Sequence, residues 1–390
     1  MAETAKKKKI LILMPMLLIG GTEQQTLKMA QTLINAGYQV SVCCYYEVDS
    51  SMLVQFENSG ALVKHLGLQR SSHSGLFADI YILLQQLIKT IKEIQPDIVH
   101  VQYVTPGFIS IVATYLAGVE NILATVHYSA RQQGLKAKLL LRCGAFFCKG
   151  FFAVSKAVEI SWFGDSAMFD PQLAKRGRKH FTIYNQVDMA VIKQGIKDSS
   201  SQKKLLRLND NHLTIGVVGR LSREKGHMVL IRAMAEIIKQ IPDIQLLLVG
   251  EGSEKESLLK KADSLNLSKN IRWLGKKEHN ETVAIISLLD LLVVPSLSEG
   301  FGLVAVEAMA CSTPVLASSV DGLIEIIKDG ENGWLVAPGD DGELARKIVA
   351  LMKDAKKRSD VGRLGHKQVE ERFSLEIYQN KILTVYDTFF

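Results

Sequence analysis

The stretch Pro295–Val315, PSLSEGFGLVAVEAMACSTPV, decides how the second half of the chain is read. It continues the apolar run DLLVV, which with Pro295 and Ser296 predicts a buried strand closed by the proline. LSEG then reads as a loop, and an apolar helix is predicted to begin near Gly302. Strand, glycine loop and helix together make one βα unit. Two carboxylates bracket the helix start: Glu299 in the loop and Glu307 eight positions later. A helix N-terminus attracts anions, and apolar packing penalises them, so both glutamates need an explanation. The backbone N–H groups of Phe301, Gly302, Leu303 and Val304 have no partner inside the helix and form an anion site, which the glycines open to close approach. At 1.5 Å per residue the two carboxylates stand about 10–12 Å apart. That is the span from a sugar ring to a ribose across a pyrophosphate, and carboxylates accept well from vicinal hydroxyls. The plain alternative is a surface carboxylate followed by a glutamate on a helix face.

Working outward, the same rhythm runs through the whole chain. Strands are predicted at 9–15, 38–46, 97–103, 122–127, 151–155, 213–220, 244–250, 271–275, 290–296 and 313–318. A helix is predicted over 22–37, with Thr22 as its N-cap and Gly37 as its stop. Buried strands alternating with helices make parallel sheets covered on both faces. The polar, serine-rich stretch GIKDSSSQKKLLRLNDNH (195–212) interrupts the rhythm and reads as a linker. The expectation is α/β: two doubly wound Rossmann-like domains with an interdomain cleft. The first spans 1–195, the second 196–372, and a last amphipathic helix, 373–390, packs back toward the first domain. Ligands of such sheets bind beyond the carboxyl ends of the strands.

Cations for a pyrophosphate are found where the second series opens, in VVGRLSREKGH (217–227). Arg220 and Lys225 follow a strand directly, whereas Arg223 reads as solvated surface charge. The spacing is not that of a P-loop. In the first series, Gly20 and Gly21 lie between a strand and a helix without G-x-G-x-x-G, which disfavours a nicotinamide or flavin site. His127 ends another strand, at the same carboxyl edge; a satisfied structural histidine is the plain alternative. Asn185 and Ser155 carry weaker signals. There is no Asp-x-Asp, so no metal site is expected, and charge neutralisation falls to Arg, Lys and the helix terminus.

Composition agrees with a folded α/β protein: 390 residues, 47% hydrophobic and 22% charged. No apolar run reaches the roughly 18 residues that span a bilayer. The lysine-rich start with its short apolar run lacks a small-residue cleavage site, and reads as a charged leader to the first strand. Five cysteines without metal spacing suggest reduced thiols and a cytoplasmic location. The net charge of +7 disfavours basic partners and suits phosphates or an anionic membrane. No nucleic-acid module accompanies it. The segment RQQGLKAKLLLRCGAFFCKGFF (131–152) mixes Arg131, Lys136, Lys138, Arg142 and Lys149 with Leu135, Leu139, Leu140, Phe146 and Phe147. Two readings stand for it. Either this basic helix lies at an anionic membrane surface, or its apolar residues face the sheet.

Together these motifs resemble the family 4 retaining glycosyltransferases of GT-B fold. EGFGLVAVE matches the family's E-x7-E, GRLSREKG its phosphate loop and GGTE its first glycine loop. YNQVD is similar to the usual N-G-V-D, with Gln186 where glycine is usual; LLLVGEG and IRWLG fit its remaining landmarks. The resemblance implies a hexosyltransferase-type enzyme that moves a sugar from a nucleoside-diphosphate donor; a UDP-linked donor is expected, with a GDP-linked one left open. The acceptor is a hydroxyl of a glycan, a lipid-linked molecule or a small molecule, in cell-surface polysaccharide or glycolipid synthesis. It implies that Arg220 and Lys225 bind the pyrophosphate and Glu299 the donor sugar. The backbone from Phe301 to Val304 meets sugar and phosphate, Glu307 holds the ribose, and the base lies near Arg272, Trp273 and Leu274. Gly21 contacts the distal phosphate, with Gly20 beside it among the donor-binding residues, and His127 lies beside the sugar. Retention without metal or cofactor is implied, and the two domains are expected to close on the donor. The rival readings are a GT-B-type epimerase or phosphorylase and, in another class, a non-catalytic nucleotide-sugar-binding protein.

Overall fold

A computed structural model describes residues 7–69, 76–102, 104–209 and 212–390. The described chain forms two compact units. One comprises residues up to Asn185 together with Tyr378–Phe390, the other Gln186–Ile377.

The first unit is built on seven parallel strands: β1 (Lys9–Met14), β2 (Gln39–Cys44), β3 (Leu62–His65), β4 (Ile98–Gln102), β5 (Asn121–Val126), β6 (Gly150–Ala153) and β7 (His180–Thr182). Their order is β3-β2-β1-β4-β5-β6-β7. The central strands are buried end to end, as in Ile10–Met14 and Ile98–Gln102, because helices cover both faces. The second unit repeats the plan with β8 (Thr214–Val218), β9 (Gln245–Val249), β10 (Ile271–Gly275), β11 (Leu291–Val294), β12 (Val315–Ser318) and β13 (Trp334–Val336). The order is β10-β9-β8-β11-β12-β13, again all parallel. In each sheet the winding reverses once, between β1 and β4 and between β8 and β11. Such a switch point splays the flanking loops and leaves a crevice.

Three expectations are corrected. The stretch 195–212 is not a simple linker, because the helix Met189–Leu205 runs through its serines. That helix packs on the helix His279–Ile286: a Cβ at Gly195 would lie 2.5 Å from Val283 Cγ1, so only glycine allows the approach. The division of the chain falls at Asn185/Gln186, ten residues before the expected 195/196. The first helix, Gly21–Asn35, begins with Gly20 rather than Thr22 at its N-cap. Glu23 lies buried in its first turn, where a carboxylate answers the exposed amides.

Candidate functional site

The switch point of the second unit gathers most of the residues read from its sequence. The loop after β8 carries Arg220 and Lys225; the loop after β11 carries Glu299. Lys225 Nζ donates to Glu299 Oε2 at 2.7 Å, and Ser296 Oγ donates to the same oxygen at 3.1 Å. The two loops are also locked through backbone. Leu297 N–H donates to the Glu224 carbonyl at 2.8 Å. Gly226, at φ +67°, lies so close to Pro295 that a Cβ there would sit 1.9 Å from its carbonyl oxygen. Arg220 is exposed on the same loop. Burial raises the Glu224 carboxyl pKa, but the Ser222 hydroxyl and the charges of Lys225 and Arg220 outweigh it and hold the group below its ordinary value.

Behind Glu299, Asp321 in the loop after β12 fixes the turn. It accepts from Ser298 Oγ at 2.7 Å and from the Glu299 N–H at 3.3 Å. Gly322 N–H returns a bond to the Glu299 carbonyl at 3.1 Å. The helix Leu303–Ala310 then starts from Gly302, at φ +104°. The Phe301 side chain is buried against Phe373, ring centroids 5.5 Å apart, which anchors the backbone at the helix start. Midway along this helix, Glu307 Oε1 accepts from His279 Nε2 at 2.8 Å. The two carboxylates that looked misplaced beside a helix start therefore each have a nitrogen donor of their own. Arg272, Trp273 and Leu274 lie half-buried on β10, an edge strand, with Trp273 packed on the core.

In the first unit, Gly20 caps the first helix and Gly21 is its first residue, so the pair stands at the helix start rather than wholly in the loop after β1. His127 follows β5, and its Nε2 donates to Gln102 Oε1 at 2.8 Å. Burial pushes its pKa down to about 3, so the imidazole is neutral at neutral pH. Two positions before Gln102 on β4, His100 bonds Tyr386 Oη through Nδ1 at 2.7 Å and Thr125 Oγ1 through Nε2 at 2.8 Å. Burial, and then the neighbouring His127, lower its pKa to about 3 as well. Both histidines line a cleft of about 420 Å³, counting its open mouth, together with Gln25, Gln102, Asn185 and Tyr378. Among the described residues no cluster of His, Cys, Asp and Glu has the geometry to hold a metal ion.

The sequence reading assigns no site role to Ser296, Asp321 or His279. Asp321 had a signal, being a polar residue before a glycine just beyond a strand's carboxyl end. His279 had none, since its link to Glu307 joins two helices 28 positions apart.

Two family models match the chain in tandem. The model described as Glycosyltransferase Family 4 covers residues 19–161, and that described as Glycosyl transferases group 1 covers 198–368. The chain belongs to glycosyltransferase family 4. This glycosyltransferase is 26% identical over 347 residues to the capsular polysaccharide biosynthesis glycosyltransferase CapM of Staphylococcus aureus, a match covering 87% of this chain and 88% of the other. It is 29% identical over 219 residues to the N-acetyl-alpha-D-glucosaminyl L-malate synthase of Bacillus anthracis, over 56% of this chain and 55% of that one. Among solved structures, Anabaena HepE in complex with UDP and glucose superposes with a TM-score of 0.83. That match covers 98% of this chain and all of the other at 23% identity. The glycosyltransferase thus has the GT-B fold expected from its motifs.

Proposed function

We propose that this glycosyltransferase moves a sugar from a UDP-linked donor to a hydroxyl of a glycan, lipid-linked or small-molecule acceptor, with retention of configuration and without metal or further cofactor. The observation that carries the reading is the meeting of Lys225 and Glu299 at the switch point of the second sheet, beside the N-terminus of the helix Leu303–Ala310. A diphosphate seated there meets Lys225, Arg220 and the helix N–H groups. Glu299 faces the donor sugar and Glu307 the ribose; Arg272, Trp273 and Leu274 stand at the base. In the front-face route the bond from the anomeric carbon to the phosphate oxygen breaks as the acceptor oxygen bonds to the same face. The acceptor's proton passes to the leaving phosphate. The roles of Gly20, Gly21 and His127 toward the donor stay as the family resemblance implies them. The UDP-bound HepE structure and the capsular function named for CapM favour UDP and cell-surface polysaccharide or glycolipid synthesis.

Calorimetry with uridine diphosphate tests the two ends of this site. Glu307→Ala is expected to weaken binding by about 1.5–3 kcal/mol, the worth of a hydrogen bond to a charged group. Glu299→Ala is expected to leave affinity nearly intact and to cut transfer. The reverse pattern overturns the assignment.

We further propose a cytoplasmic enzyme held peripherally at an anionic membrane face. Of the two readings left open for 131–152, exposure favours the membrane. On the helix Leu135–Phe147, Leu135, Leu139, Leu140 and Phe146 are 83%, 65%, 46% and 74% exposed. Lys136 and Arg142 on the same helix are exposed too, and no acidic residue occurs between Glu120 and Glu159. Apolar side chains among cations suit a headgroup layer. Among the described residues no helix is long and apolar enough to cross a membrane. Changing Lys136, Lys138 and Arg142 together to Glu is expected to lower co-sedimentation with anionic liposomes by about a hundredfold or more, at about 1 kcal/mol per cation. Absence of binding by the unaltered enzyme at low salt refutes the attachment.

A further inference from the structure

We infer that His279 is a positioning residue for nucleotide recognition, holding the Glu307 carboxylate in the pose that accepts the ribose hydroxyls. The inference rests on the reading that Glu307 faces the ribose. His279 is the first residue of the helix His279–Ile286, whose start is fixed by a reciprocal capping box between Glu278 and Glu281. Thr282 Oγ1 adds a bond to the Glu278 carbonyl at 3.0 Å. Thr282, Val283, Ala284, Ile285 and Ile286 bury that helix, so the imidazole is presented from a rigid base. It reaches Glu307 on the neighbouring helix at 2.8 Å, with the His279 side chain 38% and the Glu307 side chain 16% exposed.

A glutamate has three rotatable bonds, and ordering them on binding costs affinity. A donor on Oε1 fixes the carboxylate plane before the ligand arrives, so vicinal hydroxyls meet Oε2 without that cost. A neutral imidazole with its proton on Nε2 suffices to donate this bond. The selectivity this confers is for the ribose itself, over a nucleotide that lacks both hydroxyls.

The test is calorimetry on the full chain with two probes, uridine diphosphate and its 2′,3′-dideoxy analogue. His279→Ala is expected to weaken uridine diphosphate about five- to tenfold, the size of one hydrogen bond. Binding of the dideoxy analogue stays within about twofold, since its affinity uses no ribose hydroxyl. His279→Gln, whose amide nitrogen replaces Nε2, is expected to restore the preference. In turnover, the donor KM rises in His279→Ala while kcat at saturation is held. Equal weakening of both probes, or none, overturns the positioning role, provided that Glu307→Ala still selectively weakens uridine diphosphate. If Glu307→Ala fails to separate the two probes, the ribose assignment falls first and the inference with it.

Discussion

Replacing Lys225 by alanine is expected to lower kcat/KM for sugar transfer by about 10²–10³-fold, the scale set by removing one preorganised donor from a developing negative charge. The deletion acts twice. It withdraws a cation from the diphosphate as the leaving group gathers charge. It also strips Glu299 of its 2.7 Å partner beside a helix start. Lys225→Arg keeps the charge and is expected to recover part of the loss, although its planar fork does not reproduce the lysine's single contact. Activity in the unaltered enzyme should survive chelation. Undiminished turnover in Lys225→Ala, or activity that EDTA abolishes and added metal restores, removes the phosphate role.

The second large effect is structural. Gly226→Ala is expected to destabilise the second unit by about 3–5 kcal/mol, adding the strain of a left-handed residue to that of overpacking. The new Cβ would have to occupy a point 1.9 Å from the Pro295 oxygen and 2.8 Å from its carbonyl carbon. The backbone must part there, and the loops that carry Lys225 and Glu299 part with it. Nucleotide affinity is therefore expected to fall along with stability. Gly330→Ala is the control. Its φ is +77°, but nothing lies within 4 Å of the new Cβ, so only the conformational strain remains, about 1–2 kcal/mol. Denaturant titration of both variants separates the two causes, and equal losses contradict the steric account.

How far the sequence could be read follows from where the information lay. The buried strands β1, β4, β8, β9 and β11 are continuous apolar runs, and a parallel sheet covered on both faces admits little else. The short strands β3, β7 and β13 went unread. LVKH, HFT and WLV have no period to detect, and β3, β7 and β13 are strands at the ends of their sheets. Ser199, Ser200 and Ser201 signalled a linker by local preference. Packing of their helix on His279–Ile286 overrode it, and Gly195 is a trace of that contact in the sequence. The site divides in the same way. Glu299, Lys225 and the helix start were legible because strand, loop and helix lie in order along the chain. His279 and the tie between His100 and Tyr386 were not, since each joins distant segments.

That tie bears on how the protein is made. The buried His100 on β4 finds its Nδ1 partner in Tyr386, within the segment Tyr378–Phe390 that completes the first unit. Asn185 is synthesised almost two hundred residues before that segment (378 against 185). At about 5–20 residues per second the wait is about 10–40 s. Throughout it the nascent first unit has its seven strands but lacks the helix that covers His100 and the cleft beside His127. The second unit, continuous in sequence, is synthesised in that interval. The half of the molecule translated first is thus completed by residues that are synthesised after the whole of the second unit.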